Sequence, residues 1–392
     1  MPPPPHRVAE VFRSGWKSYI ATHKVASRLA RVARQIMQCR TAALGGHLYQ
    51  CDSCGSRLPM YNSCRDRHCP TCQTLRKQRW LEQRHAEVLP VPYFHVVFTL
   101  PHALNDLIHA NRVLLLRELF STVNWVLQRF GGDPQWKLCG QMGFIAVLHT
   151  WTQRLTAHYH LHCLVPGGAW NEKQGVWRTA NRNFLFGRDA LAKCFQARFL
   201  MRLQRLRQQK KLKFSGENLE SLAEEAVWNE WVGRLWQVKW VVYPKATADS
   251  RDQALDYLGR YTHRVAVSDH RIVKVQDGQV TFSWRDRADH NQCKTMVLPA
   301  EQFIGRFLLH VLPRGFQKVR AFGWLSPKRK RIVLAAIRTQ LRAEEPPPAP
   351  TDASSAERIL RLTGVDVSQC PHCAKGRLAY LGQLPPSQAG PA

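Results

Sequence analysis

The sequence predicts an α+β fold in which a central antiparallel sheet with packed helices follows a small N-terminal zinc module. Three observations carry this expectation. Runs rich in β-branched and aromatic residues alternate with stretches of helical period. The two best strands are separated by a short turn, as in an antiparallel pair. Half of the twelve cysteines crowd into residues 39–72, which reads as metal ligation rather than disulfides.

Taken in order, residues 8 to about 37 are basic with apolar positions at helical spacing, and the cysteine cluster follows. Tyr93-Phe-His-Val-Val-Phe-Thr-Leu-Pro101 reads as a buried strand stopped by proline. Residues 103–130 look helical, Gly143 to Trp151 and 158–165 look like paired strands, and Asp189 to Lys213 is helical and very basic. Trp236 to Tyr243 reads as another strand, Asp252 to Tyr261 has helical spacing, and Arg271 to Leu298 alternates like a hairpin around Asp277-Gly278. A helix is expected over 300–312. The proline-rich run within Glu344 to Ser355 reads as a linker to a tail bearing Cys370-Pro-His-Cys373. The expected organisation is a basic helical segment (1–38), a zinc-binding domain (39–90), a catalytic core (91–312), a basic segment (313–343), a linker (344–358) and the tail (359–392).

Charge narrows the partner. The chain carries 57 Lys plus Arg against 28 Asp plus Glu, a formal +29, which favours a polyanion such as DNA. No apolar stretch approaches the roughly 18 residues of a spanning helix, and Met-Pro-Pro-Pro-Pro is no secretory signal. A cytoplasmic, nucleoid-associated protein is therefore expected, with no membrane partner.

Two constellations carry chemistry. His160-Leu-His162 puts two imidazoles on one face of a strand. Tyr257 and Tyr261 stand one helical turn apart. Histidine-bound metal plus a nucleophilic tyrosine points to phosphodiester chemistry. Arg260, His263 and Arg264 beside the tyrosines would clamp phosphates, and the basic runs 201–213 and 314–331 would hold a strand backbone. For zinc, Cys51-x2-Cys54 and Cys69-x2-Cys72, fourteen residues apart, have the spacing of one closed four-thiolate site. Cys39, His47, Cys64 and His68 are further candidate ligands, whereas Cys370, Cys373 and His372 do not complete a tetrahedral site by themselves. No Gly-x4-Gly-Lys-Ser/Thr loop occurs, so unwinding would fall to a host helicase.

Phe98-Thr-Leu-Pro101, His160-Leu-His162 and the tyrosine pair follow the motif order of HUH endonucleases. More closely, Tyr61-Asn-Ser-Cys-Arg-Asp-Arg-His-Cys-Pro-Thr-Cys72, His162-Cys-Leu-Val-Pro-Gly-Gly168, Tyr257-Leu-Gly-Arg-Tyr-Thr-His-Arg-Val265 and Leu308-Leu-His-Val-Leu-Pro-Arg-Gly-Phe316 resemble rolling-circle transposases of the IS91 family, over roughly residues 25–335. The resemblance implies an insertion-sequence transposase that nicks and rejoins single-stranded DNA through a 5′-phosphotyrosine. It implies Mg2+ or Mn2+ at His160, His162 and a third ligand, structural Zn2+ in the cysteine module, and single-stranded element ends and target as partners. Gln153 is the favoured third ligand, where some relatives of the superfamily place a glutamate, with His149 and His158 as competitors. The rival reading is a zinc-dependent, sequence-specific DNA-binding protein without catalysis. A carboxylate-metal nuclease and a metal-free tyrosine recombinase are further alternatives.

Overall fold

The computed structural model describes residues 4–216, 218–248, 253–254, 257, 259, 265–286, 288–344 and 354–387. The chain begins with helices α1 (Val8–Thr22) and α2 (Ser27–Gln38), strands β1 (Gly46–Cys51) and β2 (Arg57–Tyr61), and helix α3 (Gln73–His85). Next come β3 (Tyr93–Thr99), α4 (Asn105–Ala110), α5 (Arg112–Gly132), β4 (Gln141–Met142), β5 (Phe144–Trp151), β6 (Ala157–Pro166), β7 (Gly168–Asn171), β8 (Val176–Thr179), α6 (Arg188–Gln208), α7 (Glu225–Gln237) and β9 (Val241–Ala248). Gln253, Ala254, Tyr257 and Gly259 are helical. The remainder comprises β10 (Ile272–Gln276), β11 (Gln279–Asp286), β12 (Gln292–Pro299), α8 (Ala300–Leu308), β13 (Val319–Phe322), α9 (Lys330–Leu341), α10 (Ser355–Thr363) and β14 (Leu378–Leu384).

Among the described residues the largest sheet has the order β13-β5-β6-β3-β9, with every pairing antiparallel. The histidine strand β6 is thus interior. Strand alternation divides its residues between two environments. Tyr159, Leu161, Cys163 and Val165 join Phe94, Val96, Phe98, Ala146 and Leu148 in a core closed by α5, α6 and α7. His158, His160, His162 and Leu164 take the opposite face. Leu164 there meets Ile145, Val147 and the Trp324–Ile337 segment.

The remaining sheets are smaller. β10-β11-β12 forms one, and its first two strands turn at Asp277-Gly278, both at positive φ, as a two-residue hairpin turn requires. It shares a core with α1, α2 and α8 in which Phe12 meets Phe307 edge-on at 5.2 Å. The order β14-β1-β2 joins the C-terminal strand to the N-terminal hairpin.

Two element boundaries differ from expectation. The 103–130 helix breaks at Asn111, whose buried side chain accepts from Lys213 N (2.7 Å) and donates to Leu107 O and Lys213 O. Trp236, expected to begin a strand, lies in the last turn of α7. Buried Trp228, Trp231 and Leu235 recur at helical spacing, and the Gln196 amide donates to the carbonyls of Leu235, Trp236 and Val238 at the helix end.

Candidate active site

Antiparallel register sets the histidines side by side. His149 of β5 lies opposite His160 of β6, and Val147 opposite His162. The donor atoms of His149, His160 and His162 all lie within 4.8 Å of one another. His160 Nε2 and His162 Nε2 are 3.0 Å apart. Two cis ligands about 2.1 Å from an octahedral ion would stand roughly 3.0 Å apart, so the pair fits a divalent ion. The outer nitrogens are committed elsewhere. His160 Nδ1 lies 3.2 Å from the His158 carbonyl, to which it can donate. His162 Nδ1 lies 2.7 Å from His95 Nε2. Such outer contacts favour the tautomer whose lone pair lies on Nε2, the atom that would ligate.

His95 is the residue that sequence reasoning missed. It is 8% exposed, near the middle of an otherwise apolar strand. Its ring stacks on His162 at 5.0 Å and stands 4.7 Å from the Tyr257 ring. An imidazole buried at mid-strand needs a polar partner, and that signal was present in Tyr93-Phe-His-Val-Val. Tyr257 is thus one histidine away from the cluster. Its helix is placed by α3, since a Cβ on Gly259 would stand only 3.0 Å from Leu81 and Lys77. Tyr261, Arg260, His263 and Arg264 lie outside the described residues.

The third member of the cluster is His149, one of the two expected competitors. The favoured Gln153 sits in the turn beyond β5, four positions past His149, where its carbonyl accepts from Arg271. His158 shares the face but lends its carbonyl to His160. A register shift between His149 and Trp151 is a bulge of the kind that re-aims side chains beside active sites. Trp151 stacks on His149 at 4.7 Å.

Trp151 also lines a cleft of about 640 Å³ whose cations include Arg67, Arg76, Arg84, Lys318 and Arg320. Lys318 Nζ stands 4.9 Å from the Trp151 ring centre, and Arg84 lies over Trp80 at 5.4 Å. Cations interleaved with aromatic faces suit a nucleic-acid strand. The predicted basic run 314–331 thus supplies one wall through Lys318 and Arg320. Phe316 and Phe322 line the same cleft while packing against the central core, whereas Phe282 is buried in the core of α1, α2 and α8. His310, deeper in the wall, is pushed down to about 3 by burial.

The expectation that Cys51, Cys54, Cys69 and Cys72 share one ion is corrected. Cys69 and Cys72 gather with Cys39 and Cys64, whereas Cys51 and Cys54 gather with Cys370 and Cys373. The reason is topological. Cys51 ends β1 on the β14-β1-β2 sheet, while Cys39 and Cys69 are buried in the core of α1, α2 and α8. In the first group Cys72 Sγ is 3.5 Å from Cys64 Sγ and 3.9 Å from Cys39 Sγ, near the roughly 3.8 Å edge of a Zn-S4 tetrahedron. Neither His47 nor His68 joins a cluster. His47 lies against Tyr380, and His68 contacts Asp66 through Nδ1 while its Nε2 accepts from Leu312 N. Burial lowers the His68 pKa, against the pull of the Asp66 carboxylate.

No described helix is long and apolar enough to cross a membrane. Residues 11–100 match the family described as a transposase zinc-binding domain, and residues 143–331 match a putative transposase family. The chain is 41% identical over 374 residues to the putative transposase y4qJ of Sinorhizobium fredii, covering 95% of this chain and 94% of that one. It is 26% identical over 357 residues to the transposase for insertion sequence element IS801 of Pseudomonas savastanoi pv. phaseolicola, covering 89% of this chain and 82% of that one. No solved structure matches at a significant level.

Proposed function

The chain belongs to the IS91 family of transposases, and we propose that it nicks and rejoins single-stranded DNA with Tyr257 as nucleophile at a divalent-metal centre made by His149, His160 and His162. The observation that carries this reading is the convergence of three imidazoles on the sheet face where Tyr257 stands against His95. Mg2+ or Mn2+ is the ion the chemistry calls for, and when bound it supplies Lewis-acid polarisation of the scissile phosphate.

The protein's own residues do the rest. His160 donates from Nδ1 to the His158 carbonyl and His162 from Nδ1 to His95 Nε2, which points Nε2 of both rings inward. His95 therefore carries its own proton on Nδ1. Its ring also spaces Tyr257 from the cluster. Tyr257 Oη bonds to phosphorus as the P–O3′ bond breaks, the phenol loses its proton, and the departing oxygen gains one. The products are a 5′-phosphotyrosine and a free 3′-OH, so the bond energy is retained for rejoining. The cationic cleft beside Trp151 would hold the strand that leads into the centre. Tyr261 would supply a second nucleophile one turn on, allowing two successive transfers.

The test is incubation of the protein with a labelled single-stranded oligonucleotide carrying its element end, with Mn2+ or EDTA. A metal-dependent covalent adduct, lost in Tyr257→Phe, is expected. Unimpaired binding without any adduct would leave a DNA-binding protein without catalysis. An adduct that persists in Tyr257→Phe and vanishes in Tyr261→Phe would move the nucleophile by one turn.

A further inference from the structure

We propose that Cys51, Cys54, Cys370 and Cys373 hold a second zinc ion in a ribbon assembled from the two ends of the chain. The stretch matching the zinc-binding family, residues 11–100, contains only half of these ligands. Cys51 Sγ lies 3.7 Å from Cys373 Sγ, and Cys54 Sγ lies 3.8 Å from Cys370 Sγ. Those separations are far beyond the roughly 2.05 Å of a disulfide. They match the edge of about 3.8 Å that a tetrahedron with Zn–S near 2.3 Å would have.

The two knuckles share a backbone design. In one, Gly55 N donates to Cys51 O; in the other, Ala374 N donates to Cys370 O. The residue after each second cysteine is left-handed, with φ +69° at Gly55 and +53° at Ala374. Alanine pays for that conformation, so the turn is imposed by what the knuckle must do. Backbone N–H groups also point at sulfur. Ser53 N and Cys54 N lie 3.4 Å from Cys51 Sγ, and Gly376 N lies 3.4 Å from Cys373 Sγ. Such donors stabilise thiolate charge. Zn2+ would displace the thiol protons to solvent, and the resulting dianionic site is neighboured by Lys375 and Arg377 in sequence.

The halves are fitted to one another by more than sulfur. Asp52 N donates to Arg377 O, while Arg377 N donates to Asp52 Oδ1. A Cβ on Gly376 would fall 2.4 Å from Cys51 Sγ, so only glycine permits this approach. β14 pairs with β1 from Gly46↔Leu384 to Cys51↔Leu378. The tail thereby fastened also carries α10, which opens with a Ser354/Glu357 capping box. Arg358 of α10 pairs with Glu82 of α3 at 2.8 Å, and α3 in turn backs the helix of Tyr257. The second zinc would therefore brace, through the tail, the helix that presents the nucleophile.

The test is the zinc content of the full-length protein by mass spectrometry, independent of any DNA reaction. Two zinc ions per chain are expected, falling to one in Cys370→Ser/Cys373→Ser. A wild-type content that the double substitution leaves unchanged would overturn the proposal. Thiol footprinting of the wild type keeps the question open to refutation if that variant fails to fold. Cys54 is exposed, as is Cys293 outside both clusters. Cys54 resisting alkylation until a chelator is added, while Cys293 reacts throughout, is expected. Equal reactivity of both before chelation would overturn the proposal.

Discussion

The histidine centre and the cysteine clusters gather their donors in opposite ways. His149, His160 and His162 come from two adjacent strands joined by a five-residue turn, on an interior strand whose other face is packed in the core. The cysteines come from distant segments, as far apart as Cys51 and Cys373. Three imidazoles leave positions for a substrate, whereas four thiols close a tetrahedron. The sheet would exist without an ion at the histidines. The cysteine clusters join segments distant in the chain, so their ions would contribute to folding itself.

That contrast is broken or upheld by paired substitutions. His162→Ala is expected to lower adduct formation by at least roughly a thousandfold while leaving the melting transition nearly in place. Cys69→Ser, at a position 1% exposed, is expected to lose zinc and cooperative folding together, read by circular dichroism and metal content. A Cys69→Ser protein that melts like the wild type would erase the distinction between a centre for chemistry and a centre for structure.

A smaller effect separates His95 from the ligands it supports. If its role is to accept from His162 Nδ1, His95→Gln keeps an acceptor near the Nε2 position and retains most activity. His95→Leu removes it and is expected to cost roughly 10- to 100-fold in metal affinity or activity. Titration with Mn2+ distinguishes the two substitutions, and equal losses in both would reduce His95 to a packing residue.

The same contrast explains what could be read from the sequence. His160 and His162 are two apart on one strand, so periodicity alone aligned them. His149 depends on register across the turn, and a bulge shifts that register, whereas the preference for Gln153 rests on the resemblance to relatives with a glutamate there. Cys51-x2-Cys54 announced a zinc knuckle by spacing. Nothing local could say that its mate lay more than three hundred residues away, because strand pairing of β14 with β1 is a long-range event. Trp236 misled because aromatic residues at a helix end carry the same apolar signal as a strand.

His310 is a buried histidine held by contacts within the fold, and its expected effect is the gentlest. It joins the end of α8 to the β5–β6 turn, with Nε2 3.1 Å from Leu155 O and Nδ1 3.2 Å from Thr150 Oγ1. The neutral ring satisfies both contacts by donating from Nε2 and accepting at Nδ1. Burial lowers its pKa from 6.5 to about 3, the Leu155 carbonyl opposes that shift, and nearby Arg112 and His109 reinforce it. Because the folded pKa is depressed, the unfolded chain takes up this proton first as pH falls. The stabilisation is full above about pH 6.5 and is lost progressively down to about 3, amounting to about 2 kcal/mol already at pH 5. His310→Gln would be less stable at pH 8 but is expected to lose less further stability between pH 7 and pH 5 than the wild type, measured by urea denaturation. Parallel losses in the two proteins would mean that acid sensitivity arises elsewhere, the cluster of His149, His160 and His162 being the next to examine.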